Sequence, residues 1–346
     1  MNSHKVRVGV IGAGVFSRLH LEGLSRTPDA EVVAICDVVE EKAKNQAAAY
    51  GVKDYYSDYK ELLKRDDIDA VTLPLPDQMH RQITVDALMA GKHVLCEKPM
   101  ALNMDDCKAM IQASRESGKE LMVGQIGRYT PGFILAKKLV EEGEIGDLFF
   151  VESEYAHDYA KIGGEGGWRV TPERHPVIGG GCHAVDLLRW IAGNPTEVFA
   201  YANNKVLTDW PIQDCTVGIM KFPNRVMGKV LTSIGCKRNY TMRTVLYGSK
   251  GTIITDNTSP AISIFKSEYR GSEEYRDIDQ QTIEMKLPVA ISNHNTEAEM
   301  KDFCDCILHG KPVTTNGTEG ASTVAVCRAI VESAEKGEKV LIDYNF

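Results

Sequence analysis

The chain has 346 residues, more than one hydrophobic core usually serves, so two domains are expected. Hydrophobic residues make up 43% and charged residues 25%, the balance of an ordinary globular protein rather than a disordered or fibrous one. The net charge of -8, with no basic run, argues against nucleic acid or an acidic membrane surface as the main partner, and no apolar stretch approaches the length of a bilayer span.

The opening MNSHKVRVGVIGAG enters a strand-like pattern directly, without an apolar signal core, so no secretory leader is expected. The nine cysteines are scattered and include no C-x-x-C pair to suggest zinc; Cys304 and Cys306 form a C-x-C on a helix-like stretch and project in different directions. A reducing, cytoplasmic setting without disulfides follows as the expectation.

In chain order, KVRVGVIGAG is apolar at Val6, Val8 and Val10 and then turns on glycines. VFSRLHLEGLSR has helical spacing, AEVVAICD is a short β-rich run, and EEKAKNQAAAYG is a helix ending at Gly51. IDAVTLPLP, HVLCEKP and ELMVGQIGRY are further strands, separated by the helices HRQITVDALMAGK and NMDDCKAMIQASRESGK. Strand–helix alternation with short connections implies a parallel sheet covered by helices on both faces, and strands buried on both sides read as continuous apolar runs. Beyond Tyr129 strands dominate: LFFVESEYAH, TEVFAYANN, TVGIMKF, RVMGKVLTSIG, TMRTVLYGSKGTIITDN and AISIFKS. Turn-sized gaps between them predict a largely antiparallel sheet. NTEAEMKDFCDCILHG and TEGASTVAVCRAIVESAEKG read as helices. The expected division is a doubly wound α/β domain over 1–128 and an α+β domain over 129–346, whose last helices are free to pack back on the first domain.

The turn GVIGAGVFSRLH carries Gly12-x-Gly14-x-x-Ser17 between a strand and a helix. That arrangement aims backbone N–H groups and a positive helix end at a pyrophosphate. Gly12 allows the tight turn, Gly14 a close approach to the ligand, and Ser17 is small enough for helix–strand contact. Asp37 ends the next strand about 20 residues further on, the distance at which an acid bonds the ribose hydroxyls. A carboxylate there repels a 2′-phosphate, and Val38 and Val39 supply no arginine, so NAD is favoured over NADP, with Lys42 keeping NADP in play.

These motifs, with Glu97-Lys98-Pro99 after a later strand and G-x-H-x-x-D on a following helix, resemble the Gfo/Idh/MocA oxidoreductases over nearly the whole chain. The resemblance implies a Rossmann domain followed by a substrate domain with a large, mostly antiparallel open sheet. It implies a cofactor site of Gly12, Gly14, Val15, Phe16, Asp37, Pro76, His80, Glu97, Lys98 and Arg128. It makes Lys98 and His183 the catalytic pair and a homodimer or homotetramer the expected assembly. Lys98 sits at the carboxyl end of a parallel strand, where such sheets bind ligands, and Pro99 disfavours helix at Lys98.

Oxidising an alcohol requires a base within reach of the hydroxyl; imidazole suits His183, with Lys98 stabilising the developing alkoxide. In many members an aspartate lies four residues before the histidine, and here that position is Gly179. Asp186, three residues after His183 on a helix, is expected to orient it or to bond a substrate hydroxyl. Tyr155, His157, Trp168, Arg169 and His175 are the other substrate-side candidates. A metal site from His157, Glu173, His175 and His183 lacks tight ligand spacing, so no metal is expected. The leading expectation is an NAD(P)-dependent dehydrogenase of a sugar, sugar derivative or cyclitol. Two alternatives stay open: redox-neutral glycoside cleavage through a transient keto-sugar, and a non-catalytic dinucleotide sensor.

Overall fold

The computed structural model describes residues 5–269 and 280–346. Two compact units emerge: residues 1–126 with 295–325 and 344–346, and residues 127–294 with 326–343.

In the first unit the apolar runs become strands because both sides of each are covered: Val8, Val10, Ile35, Val71, Val94, Leu95 and Val123 have no exposed surface. The elements are β1 (Val6–Ile11), α1 (Ser17–Ser25), β2 (Ala30–Cys36), α2 (Glu40–Tyr50), β3 (Asp54–Tyr56), α3 (Tyr59–Leu63), β4 (Ala70–Leu73), α4 (His80–Met89), β5 (His93–Glu97), α5 (Met104–Ser117) and β6 (Leu121–Gly124). All six strands are parallel, in the order β3-β2-β1-β4-β5-β6. Strand order reverses between β1 and β4, the point at which doubly wound sheets bind ligands. The short β3 and α3 were not evident in the sequence, which offers too few residues there for a period to show.

The second unit opens with α6 (Pro131–Glu141), a helix in a stretch to which the sequence reading assigned no element. Pro131 stands at its start, where the missing N–H costs nothing, so a residue that reads as a breaker opens the helix instead. Then come β7 (Leu148–Ala156), α7 (Pro176–Gly179), α8 (Cys182–Ala192), β8 (Glu197–Asn203), β9 (Cys215–Lys221), β10 (Met227–Ser233), β11 (Thr241–Gly248), β12 (Gly251–Asp256), β13 (Ala261–Tyr269) and β14 (Gln280–Pro288). With β15 (Val340–Leu341) they make a nine-stranded sheet, β14-β13-β12-β11-β7-β10-β9-β8-β15, antiparallel except for the β7–β10 pair. The helix α8 packs on β7, β10 and β11, and every residue from Cys182 to Arg189 is buried. Elsewhere the sheet leaves Tyr201, Ile219 and Met227 more than half exposed.

The chain ends with α9 (Thr296–His309), α10 (Gly317–Lys336) and β15 (Val340–Leu341). Helix α9 belongs to the first unit and packs against α1. Gly23 permits that approach: a Cβ there would lie 2.9 Å from the Thr296 carbonyl group. Among the described residues, no helix is long and apolar enough to cross a membrane.

Candidate active site

The glycine turn after β1 is built by steric necessity. Gly12 has φ +112°, and a Cβ there would lie 2.7 Å from the Pro74 carbonyl oxygen, so only glycine fits on both counts. Over Gly14 the space is open, with nothing within 4 Å of where a Cβ would stand. Ser17 replaces the usual third glycine without exposing itself: it is wholly buried and its hydroxyl donates to the Gly14 carbonyl at 2.6 Å. Val15 is 85% exposed and Phe16 is also exposed, unusual for apolar residues at a tight turn and consistent with a face that a ligand covers. Asp37 ties the turn to the end of β2, its carboxylate accepting from Ala13 N at 2.8 Å and from Val39 N at 2.9 Å. Each oxygen keeps a further lone pair for a ribose hydroxyl.

The strands β4 and β5 end in a second cluster. Pro76 precedes the 3-10 turn Asp77–Met79, and His80 opens α4. The His80 ring is wholly buried, Nδ1 at 2.8 Å from the Pro99 carbonyl oxygen and Nε2 at 3.1 Å from that of Leu75. Both bonds require donors on both nitrogens, hence an imidazolium. Burial opposes that charge, but Cys96, Asp77 and the Pro99 carbonyl outweigh it and raise the group to about 10. The resemblance puts His80 in the cofactor site; within the protein its ring ties together the loops that carry Pro76 and Lys98.

Glu97, the last residue of β5, accepts from Lys98 N at 3.0 Å and lies 3.0 Å from His20 Nε2. Burial disfavours its charge, but the His20 bond and the charges of His20 and Lys98 prevail and hold the carboxyl down at about 2. The Lys98–Pro99 peptide bond is cis. The Lys98 side chain is half-buried, and among the described residues its ammonium forms no hydrogen bond or ion pair.

In the second unit, His183 is the second residue of α8 and only 3% exposed. Its imidazole stacks on the Tyr155 ring, centroids 6.0 Å apart and planes 19° from parallel. Tyr155 is itself held, its hydroxyl 2.8 Å from Tyr159 Oη and 3.3 Å from His157 Nδ1. His157 packs on Tyr240, and burial, then the charge of Arg169, lower its pKa. The three glycines before the helix are each matched to a side chain. A Cβ at Gly179 would lie 2.3 Å from Arg174 Cζ, one at Gly180 2.6 Å from Tyr155 Cε1, and one at Gly181 2.1 Å from Thr232 Oγ1. Trp168 carries two guanidinium groups, with Arg169 Cζ 4.4 Å and Arg174 Cζ 4.9 Å from its ring centroid.

The regions 6–125 and 133–254 match, respectively, the family models described as the oxidoreductase family with an NAD-binding Rossmann fold and the GFO/IDH/MocA C-terminal domain. The chain belongs to the GFO/IDH/MocA oxidoreductase family. NAD is the cofactor of that Rossmann domain, and the open space over Gly14 and the carboxylate of Asp37 fit it. Similar proteins include the myo-inositol 2-dehydrogenase of Thermotoga maritima, 28% identical over 98% of this chain and 99% of its own. The uncharacterized oxidoreductase YrbE of Bacillus subtilis is 27% identical over 99% and 98%, and the levoglucosan dehydrogenase of Pseudarthrobacter phenanthrenivorans 26% over 96% of each. Among solved structures, a levoglucosan dehydrogenase in complex with NADH superposes with a TM-score of 0.87 at 24% identity, covering 98% of this chain and 100% of that one; the likeness is one of fold.

Within this GFO/IDH/MocA chain several expected site residues have partners within the protein. Arg128 and Asp186, expected at cofactor and substrate, hold each other: Arg128 donates from Nε at 2.8 Å and Nη2 at 2.7 Å to the two carboxylate oxygens, and both residues are buried. Arg189 approaches the same carboxylate at 3.6 Å. His175 caps α7, its Nδ1 accepting from Val177 N at 3.2 Å while Nε2 lies 3.0 Å from Gln213 Oε1. Burial lowers it to about 4, although the Gln213 bond opposes this. Three residues were missed: Arg174, which fills the place of a side chain at 179; His20, the partner of Glu97; and Glu299 on α9. Only the glycine at 179 signalled the first, and nothing local signalled the other two.

Proposed function

We propose that this chain oxidises a secondary hydroxyl of a sugar, sugar derivative or cyclitol, with NAD as the acceptor. The observation that carries the reading is the Lys98 ammonium, half-buried at the carboxyl end of β5 with no bonded partner among the described residues. A cation drawn partly out of water needs an oxygen to meet it, and a substrate hydroxyl becoming an alkoxide is such an oxygen. NAD supplies the electron-pair acceptor when bound. His183 takes the hydroxyl proton as the carbon is oxidised, and Lys98 donates to the same oxygen. Gly12, Gly14, Val15 and Phe16 bind the pyrophosphate, Asp37 the ribose hydroxyls, and Pro76 and Glu97 border the nicotinamide end. Tyr155, His157, Trp168 and Arg169 face the substrate.

Relatives with a named reaction favour this reading over redox-neutral cleavage or a sensor: they include inositol and levoglucosan dehydrogenases and a 1,5-anhydro-D-fructose reductase. The chain works as a homo-oligomer through the part of the nine-stranded sheet that exposes Tyr201, Ile219 and Met227, a self-association that sedimentation velocity tests directly.

The deciding experiment follows NADH absorbance with purified protein across inositols, aldoses, uronates and anhydrosugars. Turnover with one group is expected, and Lys98→Ala and His183→Ala each lower it by roughly 10²–10⁴ while NAD binding persists. No NADH from any of them, in protein that binds NAD, overturns the reading; aglycone release from a glycoside without NADH replaces it with the redox-neutral chemistry.

A further inference from the structure

Glu299 has no place in the chemistry above, yet it is a carboxyl side chain only 1% exposed, beside the carboxyl ends of β5 and β6. Its Oε1 has no hydrogen-bond partner among the described residues. Gly124, the end of β6, pairs with Glu97 across the sheet. A Cβ at Gly124 would lie 3.5 Å from Glu97 Cα and 3.6 Å from Glu299 Oε1, so the Glu97 backbone and the Glu299 carboxyl flank one glycine.

The two carboxyls have opposite surroundings. Glu97 meets the His20 ring and the Lys98 N–H, which stabilise its charge. The Glu299 Oε1 accepts from neither. A second ionised carboxylate here would be buried, unpaired and next to a like charge, and the cheaper state is the neutral acid. A charged Glu299 would also compete for the Lys98 ammonium, the one cation at this corner that the reaction requires.

We propose that Glu299 is a positioning residue that stands as a neutral carboxylic acid beneath the Glu97–Lys98 corner, leaving Glu97 the single negative charge there and Lys98 free to meet the substrate oxygen. The charged groups that face it are Glu97 and Lys98, from β5 and the residue after it, and Asp302 on its own helix. Burial, then the charges of Glu97 and Asp302, push its titration well above the ordinary carboxyl range, with Lys98 opposing. The role rests on the proposed use of Lys98, but the protonation state is measurable without any substrate.

The test is infrared spectroscopy of the full chain at neutral pH, with NAD affinity measured in parallel from pH 6 to 10. The carbonyl stretch of a protonated carboxylic acid is expected in the wild type, absent in Glu299→Gln and shifted in Glu299→Asp. Glu299→Gln, which keeps the neutral shape, should hold NAD affinity within about twofold at neutral pH and remove the part of any alkaline loss of affinity that Glu299 causes. Absence of the protonated band in the wild type overturns the proposal whatever the variants do. A loss of about tenfold or more in Glu299→Gln at neutral pH also overturns it, because the charge would then be what the site needs. Failure to find a sugar substrate leaves both readouts intact and bears only on the reaction.

Discussion

The guanidinium of Arg174 lies against Gly179, in the space where a side chain at 179 would begin. Arg174 is 2% exposed and covered by Trp168, so it has little room to retreat. Gly179→Asp therefore overpacks the start of the His183 helix and is expected to cost about 1–3 kcal/mol in stability. Adding Arg174→Ala opens the space and recovers part of that loss. Thermal denaturation of the two single variants and the double variant measures the coupling, and strict additivity would contradict the steric account.

Tyr155 holds the plane of His183 by stacking, while Tyr159 and His157 hold Tyr155. Tyr155→Phe keeps the ring and is expected to lower kcat only a few-fold, whereas Tyr155→Leu lowers it by about tenfold or more, because a misplaced base loses its geometry. Gly180→Ala should resemble Tyr155→Leu, since its methyl would enter the Tyr155 ring. In both damaging variants the pH dependence of kcat should shift, which a purely structural loss would not produce.

The buried Arg128–Asp186 pair is bidentate, and removing one partner strands the other. Asp186→Ala is expected to destabilise by about 3–5 kcal/mol. NAD affinity at low temperature should be unchanged, because this pair belongs to the second unit. A stable Asp186→Ala protein that has lost only substrate affinity would return the acid to the substrate, as the sequence first suggested.

Glu97 titrates below its ordinary value, at about 2 rather than 4.5. A depressed carboxyl contributes stability above its unfolded pKa and loses it as pH falls through the folded one. The melting-temperature advantage of the wild type over Glu97→Gln should be full at pH 6 and shrink as pH drops from 4.5 towards 2. An advantage that grows in acid would reverse the sign and refute the His20–Glu97 account.

Much of this protein was determined by sequence alone. Continuous apolar runs such as Val94-Leu95-Cys96 encode strands buried on both faces, and those become a parallel six-stranded sheet. Gly12, Gly14 and Asp37 announce a dinucleotide turn because backbone sterics and a short spacing carry that information, and Glu97-Lys98-Pro99 marks a strand end by composition. The tertiary structure decided the rest. The His80 bond to the Pro99 carbonyl, the Arg128–Asp186 pair and Glu299 beside Glu97 are pairings between separate segments, without a period or motif to betray them. The reason is physical: a local pattern records how a segment meets its own backbone, whereas the partner of a buried charge is chosen by whichever remote element the fold brings within bonding distance.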